Sequence, residues 1–210
     1  FFRQTYEGTP YDMTKNLLVK VTKKDEAGVE YTDTIKSPVV SNWMNADLRT
    51  LINELKPGTI ERQRTIAIAG CSYSHVIQCR DWLPDEVGAV AWFSFDNPGQ
   101  SPRIPIFSGT KSLPESFRIC GQHRYREDAA IWSFREANRL ATVNWDRGRK
   151  LVEPAVAEME VKAIAEIPAL EERVKTLVSQ GKNEEAAMIV TEYTNSFALA
   201  AMNRWQEMKR

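Results

Sequence analysis

The side chains best suited to nucleophilic chemistry in this 210-residue chain are three cysteines and two histidines. A cysteine becomes a strong nucleophile when a neighbouring base such as an imidazole takes its proton. Cys79 follows His75 along one predicted strand, so the two side chains share a face but lie roughly 13 Å apart, at about 3.3 Å per residue. Cys71 precedes His75 across a predicted bend, which does not bring them into hydrogen-bond reach. We interpret His75 as a pocket or core residue. A pair of Cys71 or Cys79 with His75 or His123 stays open as an alternative.

Other motifs that carry chemistry are absent from the sequence. The glycines form neither GxGxxG nor GxxxxGKS/T, the loops that bind phosphate groups, and no GxSxG motif occurs. The three cysteines have neither zinc spacing nor the number of a disulfide framework. We expect reduced, half-buried thiols, with a Cys71–Cys79 disulfide as the less favoured alternative. Residue types alone therefore predict no self-sufficient active site, no metal site and no cofactor.

The charge balance argues against two classes of partner. Lys plus Arg and Asp plus Glu both number 28, giving a formal net charge of zero, whereas nucleic acids and acidic membranes favour basic proteins. No apolar run approaches the roughly 18 residues that span a bilayer. The 42% hydrophobic content is typical of a globular protein with one domain or two small ones. The chain opens on Phe1-Phe2 rather than Met, which we interpret as a processed or trimmed start.

The elements that would position these residues begin with strands between residues 64 and 109. Runs of β-branched and aromatic residues bounded by turn residues are typical of strands. Four such runs occur here: Arg64–Gly70, Ser74–Arg80, Gly88–Phe95 and Ile104–Ser108. The third is apolar almost throughout, so we expect it in the middle of a layered sheet and buried on both faces. Upstream, Lys15–Lys36 could form a hairpin or an exposed excursion.

Helical periodicity dominates elsewhere. Asn45–Leu55 has apolar residues at helical spacing, and its first residue is a suitable N-cap. Pro154 either starts a new helix or kinks one, and Gly181 is suited to end a helix within a helical hairpin. Amphipathic patterns after residue 126 predict four helical segments that pack into a core: Asp128–Thr142, Trp145–Ile167, Pro168–Gln180 and Asn183–Met208.

Three ordered blocks of the sequence resemble a known family. Glu7–Thr14 (EGTPYDMT) is similar to an EGT-x-YDMT block, and Arg64–Arg80 (RTIAIAGCSYSHVIQCR) follows a pattern of arginine, strand, Ser-rich turn and strand ending Gln-x-Arg. Leu83–Gly109 is similar to an LP-x-x-x-GGV-x-W strand followed by a Pro-Ser loop and PFYAG. Trp132 and the long helices fit that family's helical tail. The chain thus resembles the C-terminal portion of cysteine dipeptidases of the dipeptidase A and secernin group, peptidase family C69, which are N-terminal-nucleophile hydrolases.

The resemblance implies an α+β fold that forms part of an αββα sandwich, with a mainly antiparallel sheet and a C-terminal helical region. We assign residues 1–126 to the sheet-forming part and residues 127–210 to the helices that pack on it. The resemblance also implies dipeptide hydrolysis, without metal, by an N-terminal cysteine. Its own α-amino group, with a pKa of about 7.7–8.0, would act as the base. Because this chain starts with Phe1 and its cysteines are internal, we expect that nucleophile outside it, and the 210 residues alone to be inactive.

Strand ends and turns supply candidates for the wall of a substrate pocket: Arg64, Ser72, Ser74, His75, Arg80 and Asn97. The two arginines could clamp a substrate carboxylate or support an oxyanion, or form surface ion pairs instead. The serines and the histidine flank a turn between two strands. The asparagine could line a rim, although an Asx-turn is the favoured interpretation. No catalytic residue is predicted within the chain.

The expected partners follow from the resemblance. They are a dipeptide substrate, the N-terminal half of the same protein, and further copies of the chain in a homo-oligomer. Self-association is expected because the sheet face that would meet the missing half should be apolar and exposed. The alternative is a non-catalytic module that binds a protein through the hairpin at 15–36 or the helical hairpin. An N-terminal cysteine upstream of Phe1 would favour the enzyme.

Overall fold

The computed structural model describes residues 1–209 and has the expected α+β fold. Two small antiparallel sheets occur in the first half of the chain, and long helices form the second half. The strands are β1 (Leu18–Lys24), β2 (Glu30–Lys36), β3 (Tyr73–Cys79), β4 (Ala89–Phe95) and β5 (Ile104–Phe107). The helices are α1 (Ala46–Leu55), α2 (Asp85–Gly88), α3 (Glu115–Arg118), α4 (Ala130–Val143), α5 (Trp145–Ser179) and α6 (Asn183–Glu207).

Strands β1 and β2 form a hairpin within Lys15–Lys36, one of the two structures expected there. They pair antiparallel from Leu18 opposite Lys36 to Lys24 opposite Glu30. Gly28 near the tip has φ +80°, a conformation that glycine adopts without steric cost. Most side chains on both strands are exposed. The hairpin is therefore stabilised mainly by its own cross-strand bonds.

Strands β3, β4 and β5 form an antiparallel sheet with β4 at its centre, as predicted. The expectation that β4 is buried on both faces is wrong. Val90 and Ser94 are buried, whereas Phe93, on the opposite face, is only half-buried. Tyr73 and Ile77 of β3 share the face of Phe93 and are 53% and 61% exposed. One face of the sheet packs on the helices. The other face is open along β3, whereas Ile104 of β5, which lies opposite Phe93, is fully buried.

The strand predicted at Arg64–Gly70 is not formed. The backbone N–H groups of Ile66 and Ala67 both donate to the carbonyl oxygen of Gln4, at 3.2 and 3.1 Å. The Trp43 indole N–H donates to the Ala67 carbonyl oxygen at 2.8 Å. These long-range bonds hold the segment as an irregular connection, which the local alternation of isoleucines does not reveal.

Helix α5 is longer than predicted, because Trp145–Ile167 and Pro168–Gln180 form one helix of 35 residues. Pro154 and Pro168 lie inside it, although each removes a backbone hydrogen bond. Buried residues lie before, between and after the two prolines, and all belong to one core: Val152, Ala155, Val156, Met159, Ala163, Ile167, Val174 and Leu177. Burial of this continuous face stabilises the helix across both prolines.

Helices α4, α5 and α6 pack against one another and against the sheet. Gly181 lies just after the end of α5, as predicted, in the turn of the helical hairpin and with φ +74°. The Lys182 N–H donates to the Leu177 carbonyl oxygen at 2.9 Å. The shared core includes buried side chains from both the sheet and the helices, among them Val90, Ile104, Phe107, Phe134, Val190, Phe197 and Trp205.

Helix α1 begins at the predicted N-cap, where Asn45 Oδ1 accepts a hydrogen bond from the Asp47 N–H at 2.7 Å. Ile52 packs toward a second, smaller core made of Met13, Leu17, Val40, Met44 and Ile60. The remaining apolar residues of α1 are exposed: Leu48, Leu51 and Leu55. This small core holds α1 beside the N-terminal segment.

Candidate substrate-binding site

Three of the predicted pocket residues, Ser72, Ser74 and His75, lie at the start of β3. Ser74 Oγ accepts a hydrogen bond from the Arg103 guanidinium at 2.6 Å, and the Ser72 carbonyl oxygen accepts one from the Asp96 N–H at 2.9 Å. His75 is exposed and its ring stacks on Tyr73, with 6.1 Å between centroids. The structure therefore groups the two serines and the histidine at one end of the open sheet edge.

Arg80 lies at the opposite end of β3 and is buried. Its guanidinium forms an ion pair with Glu171 of α5 and donates to the Val87 carbonyl oxygen at 2.6 Å. Protein acceptors thus occupy two of its nitrogens, and the residue ties the end of β3 to α2 and α5. This environment favours a structural role over a substrate clamp.

Asn97 is also buried and makes its bonds within its own loop. Its Oδ1 accepts from the Gly99 N–H at 3.0 Å, which is the expected Asx-turn. Its Nδ2 donates to Gln100 Oε1 at 2.8 Å. Both ends of the side chain are therefore used to shape the loop between β4 and β5.

A buried polar network between this loop and the helices was missed by sequence reasoning. Asp96 accepts from Arg135 Nε at 2.9 Å and from Asn138 Nδ2 at 3.0 Å. Asn138 also donates to Ser101 Oγ at 2.9 Å and accepts from the Trp205 indole N–H at 3.0 Å. Asp96 has φ +56°, in the left-handed region. The Asp-Asn-Pro-Gly run at 96–99 predicts a turn. The helical residues that bond to it, Arg135 and Asn138, are far away in sequence, so the pattern does not reveal them.

The described thiols show no activated nucleophile. Cys71, Cys79 and Cys120 are all free, so the alternative Cys71–Cys79 disulfide is not formed; only the first is half-buried, as expected, and the other two are exposed. Burial and the nearby Asp96 carboxylate raise the pKa of the Cys71 thiol, and its Sγ donates to the Tyr73 carbonyl oxygen at 3.1 Å. Catalytic cysteines have lowered pKa values instead. No hydrogen bond joins a cysteine to a histidine within residues 1–209.

Arg64 is brought together with two further arginines that sequence reasoning did not single out. Arg49 of α1, Arg62 and Arg64 line a cleft of about 320 Å³ together with Asn42 and Thr65. The lining of this basic cleft contains no carboxylate. The three arginines lie within 16 residues of sequence, but α1 and the turn after it bring them to one cleft.

A second cleft, of about 220 Å³, shares Asn42 and Trp43 with the basic cleft. Its charges are balanced: Arg149 pairs with Glu7 and Glu153, both at 2.9 Å. Its wall is formed by Trp145 and Trp43, whose rings meet edge to face at 4.9 Å. Arg3 also lines it and pairs with Glu160.

The block Glu7–Thr14 positions the N-terminal segment beside both clefts. Asp12 Oδ1 accepts from the Thr14 N–H and hydroxyl at 2.8 and 2.6 Å, and Oδ2 accepts from the Gly8 N–H at 3.1 Å. Burial by itself raises the pKa of the Asp12 carboxyl. The hydrogen bonds from Thr14, Gly8 and Lys36 outweigh it and hold that pKa below its usual range. These hydrogen bonds hold the block in one loop conformation.

Among residues 1–209, no group of three or more His, Cys, Asp or Glu side chains could hold a metal ion. Within residues 1–209, none of the helices combines the length and the hydrophobicity that a bilayer-spanning segment needs.

Comparisons with known proteins agree with the resemblance seen in the sequence. The family model described as Peptidase family C69 matches residues 1–158. A curated relative, "Probable dipeptidase" from Latilactobacillus sakei, is 25% identical over 164 residues, which cover 69% of this chain and 35% of the relative. The aligned region thus spans about a third of the relative's length. No solved structure matches the chain.

Proposed function

The chain belongs to peptidase family C69, and on this basis we propose that the protein containing it hydrolyses dipeptides. The observation that carries the proposal is the family match over residues 1–158, which includes all three sequence blocks. The name of the curated relative, a probable dipeptidase, supports the same substrate class. The proposed substrate is a dipeptide with a free amino terminus.

The proposed nucleophile is an N-terminal cysteine thiol outside residues 1–210. The properties of the internal cysteines support this proposal. The Cys71 thiol has a raised pKa and donates its proton to a backbone carbonyl, while Cys79 and Cys120 are exposed and form no hydrogen bond to a histidine. Residues 1–210 would then supply part of the fold and part of the pocket wall, and would be inactive alone.

The proposed architecture is one part of an αββα sandwich completed by the N-terminal half of the protein. The open sheet face that contains Tyr73, Ile77 and Phe93 supports it, because apolar faces of this kind are normally covered. In this arrangement residues 1–126 supply the sheet and residues 127–210 the helical layer. The pocket wall would include Ser72, Ser74 and His75 at the sheet edge, with Arg64 in the basic cleft. Arg80 and Asn97 would hold the neighbouring elements in position behind this wall.

The test is dipeptide hydrolysis by the full-length protein and by residues 1–210 alone, each with and without iodoacetamide. We expect hydrolysis of alanylalanine only by the full-length protein, abolished by alkylation. Replacement of Cys71 by Ser in the full-length protein should leave turnover unchanged, since this thiol is not the nucleophile. Turnover by residues 1–210 alone would refute the external nucleophile and direct attention to Cys71 and Cys79.

A further inference from the structure

The three arginines of the basic cleft are uncompensated. Arg49, Arg62 and Arg64 form no ion pair and no side-chain hydrogen bond with any residue between 1 and 209. The neighbouring cleft is different, because Arg149 there is held between two carboxylates. In a chain with equal numbers of acidic and basic residues, three unpaired cations around one cleft are not a consequence of overall charge.

Uncompensated guanidinium groups in one cleft favour an anionic occupant. Like charges that face the same space repel one another, and an anion bound between them removes this repulsion. The planar fork of a guanidinium matches the two oxygens of a carboxylate or phosphate and forms strong charge-assisted bonds with them. The basic cleft therefore has the chemistry of a carboxylate or phosphate site.

The buried side chain of Asn42 indicates which kind of anionic ligand fits the basic cleft. The side chain lines the basic cleft and is 93% buried, with an exposed fraction of 7%. Its Oδ1 accepts no hydrogen bond from any described residue, and a buried acceptor without a donor is unfavourable. An occupant that supplies both an N–H group and an anion would satisfy Asn42 and the arginines together.

The rest of the lining is apolar enough to contact a side chain. Met13, Met44 and Ile68 border the same cleft, and methionine adapts to side chains of different shape. The last residue of a peptide presents all three features within one residue: a backbone N–H, a carboxylate and a side chain. Inorganic phosphate presents only the anion.

We propose that the basic cleft binds the C-terminal residue of a peptide. The carboxylate lies between Arg49, Arg62 and Arg64, the backbone N–H donates to Asn42 Oδ1, and the side chain contacts the methionines. That this peptide is the dipeptide substrate rests on the function proposed above. The binding itself does not, because it involves only residues of this chain.

The test uses calorimetric titration of the full-length protein with three small probes and inorganic phosphate. N-Acetylalanine carries both the N–H and the carboxylate; N-acetylalaninamide lacks the carboxylate; O-acetyl-lactate keeps the carboxylate but has an ester oxygen in place of the N–H. We expect N-acetylalanine to bind roughly tenfold more tightly than O-acetyl-lactate, the ratio for loss of about one ordinary hydrogen bond. N-acetylalaninamide should bind more than about a hundredfold more weakly than N-acetylalanine, because it loses the charge-assisted contacts to all three arginines. Phosphate should bind more weakly than N-acetylalanine.

Variants locate the binding. R49Q, R62Q and R64Q should each weaken N-acetylalanine binding roughly tenfold, because each removes one charge-assisted contact. R173Q is the matched control, since Arg173 is an exposed arginine of α5 outside the cleft lining. Its affinity should equal that of the original protein. All four changed residues lie at least partly in solvent, so the variants should remain folded, which their thermal unfolding checks.

The outcomes separate this inference from the proposed function. If R49Q, R62Q and R64Q bind N-acetylalanine as tightly as R173Q does, the inference is overturned, even if alanylalanine hydrolysis continues. Equal affinity for N-acetylalanine, O-acetyl-lactate and phosphate would reduce the cleft to a general anion site and would also overturn it. Selective binding of N-acetylalanine without any dipeptide hydrolysis would sustain the inference and refute the proposed function.

Discussion

At the residue scale, two buried charges, Arg80 and Asp12, are held by specific partners. Arg80 is only 9% exposed and is paired with Glu171 across a sequence separation of 91 residues. Asp12 is 4% exposed and accepts hydrogen bonds from three directions. Removing one member of such a pair leaves a buried charge without compensation. Each of these two residues leads to a prediction.

Replacing Arg80 by Ala should lower the free energy of unfolding by about 3 kcal/mol, since Glu171, whose side chain is only 15% exposed, then loses its cation. Urea denaturation measures this change. The control is Arg118→Ala, whose exposed pair with Glu115 should contribute at most about 0.5 kcal/mol. An Arg80 variant of unchanged stability but raised KM for dipeptide would instead favour the substrate clamp.

Replacing Asp12 by Asn should destabilise the protein at neutral pH and have less effect in acid. The pKa of Asp12 is lowered in the folded state, so its contribution is present above the unfolded pKa of about 3.9. It is lost as the pH falls through the lower folded value. Urea midpoints at pH 7 and pH 3 for Asp12→Asn and the unchanged chain should therefore differ more at pH 7. An equal difference at both values would contradict the assignment.

At the element scale, close approaches between helices decide the packing of the second half of the chain. α4 and α5 are separated by Asn144 alone, and Gly148 in the first turn of α5 faces the last turns of α4. A Cβ added at Gly148 would lie 2.7 Å from the backbone carbon of Ala141. Backbone atoms cannot move aside as a flexible side chain can, so the two helices would have to separate.

Replacing Gly148 by Ala should therefore destabilise the chain by about 2 kcal/mol, a typical cost of overpacking. In a helix without such a contact, alanine is about 1 kcal/mol more favourable than glycine. A loss of stability would therefore indicate the close contact with α4, and a gain would indicate its absence. Arg147→Ala, on the exposed side of the same turn, should change the urea midpoint little. A stabilising Gly148→Ala substitution would show that the helices are not in close contact there.

At the scale of the whole molecule, the sheet is uncovered along β3 on the face away from the helices. Val90 and Phe107 face the helices and are buried, whereas Tyr73 and Ile77 are more than half exposed on the other side. β3 is also an edge strand, with no partner beyond it among residues 1–209. Exposed apolar faces and free strand edges both promote association.

Residues 1–210 in isolation should therefore self-associate, and Ile77→Lys should reduce the association by placing a charge on the open face. Light scattering over a range of protein concentrations measures the mean mass. Lys20→Glu, on the β1–β2 hairpin, is the control for a changed surface charge elsewhere and should leave the association intact. A monodisperse monomer at high concentration would contradict the prediction.

The sequence by itself determined the elements whose signals are local. The N-cap at Asn45, the strand Ala89–Phe95 and the turn at Gly181 follow from residue types and spacing within a few positions. For Lys15–Lys36 the sequence left a hairpin and an exposed excursion open, and the structure has the hairpin. The family resemblance was likewise readable from three short blocks, and the family match over residues 1–158 agrees with it. These features need no knowledge of distant contacts.

Only the tertiary structure decided what depends on contacts between distant residues. Residues 64–70 do not form the predicted strand, because the backbone N–H groups of Ile66 and Ala67 bond to the Gln4 carbonyl oxygen. Helix α5 continues through two prolines because one core covers its whole buried face. Arg64 and Arg80 have the same apparent role in sequence, at strand ends. The fold places one in an uncompensated basic cleft and buries the other against Glu171, because charge partners are chosen by distance in space rather than along the chain.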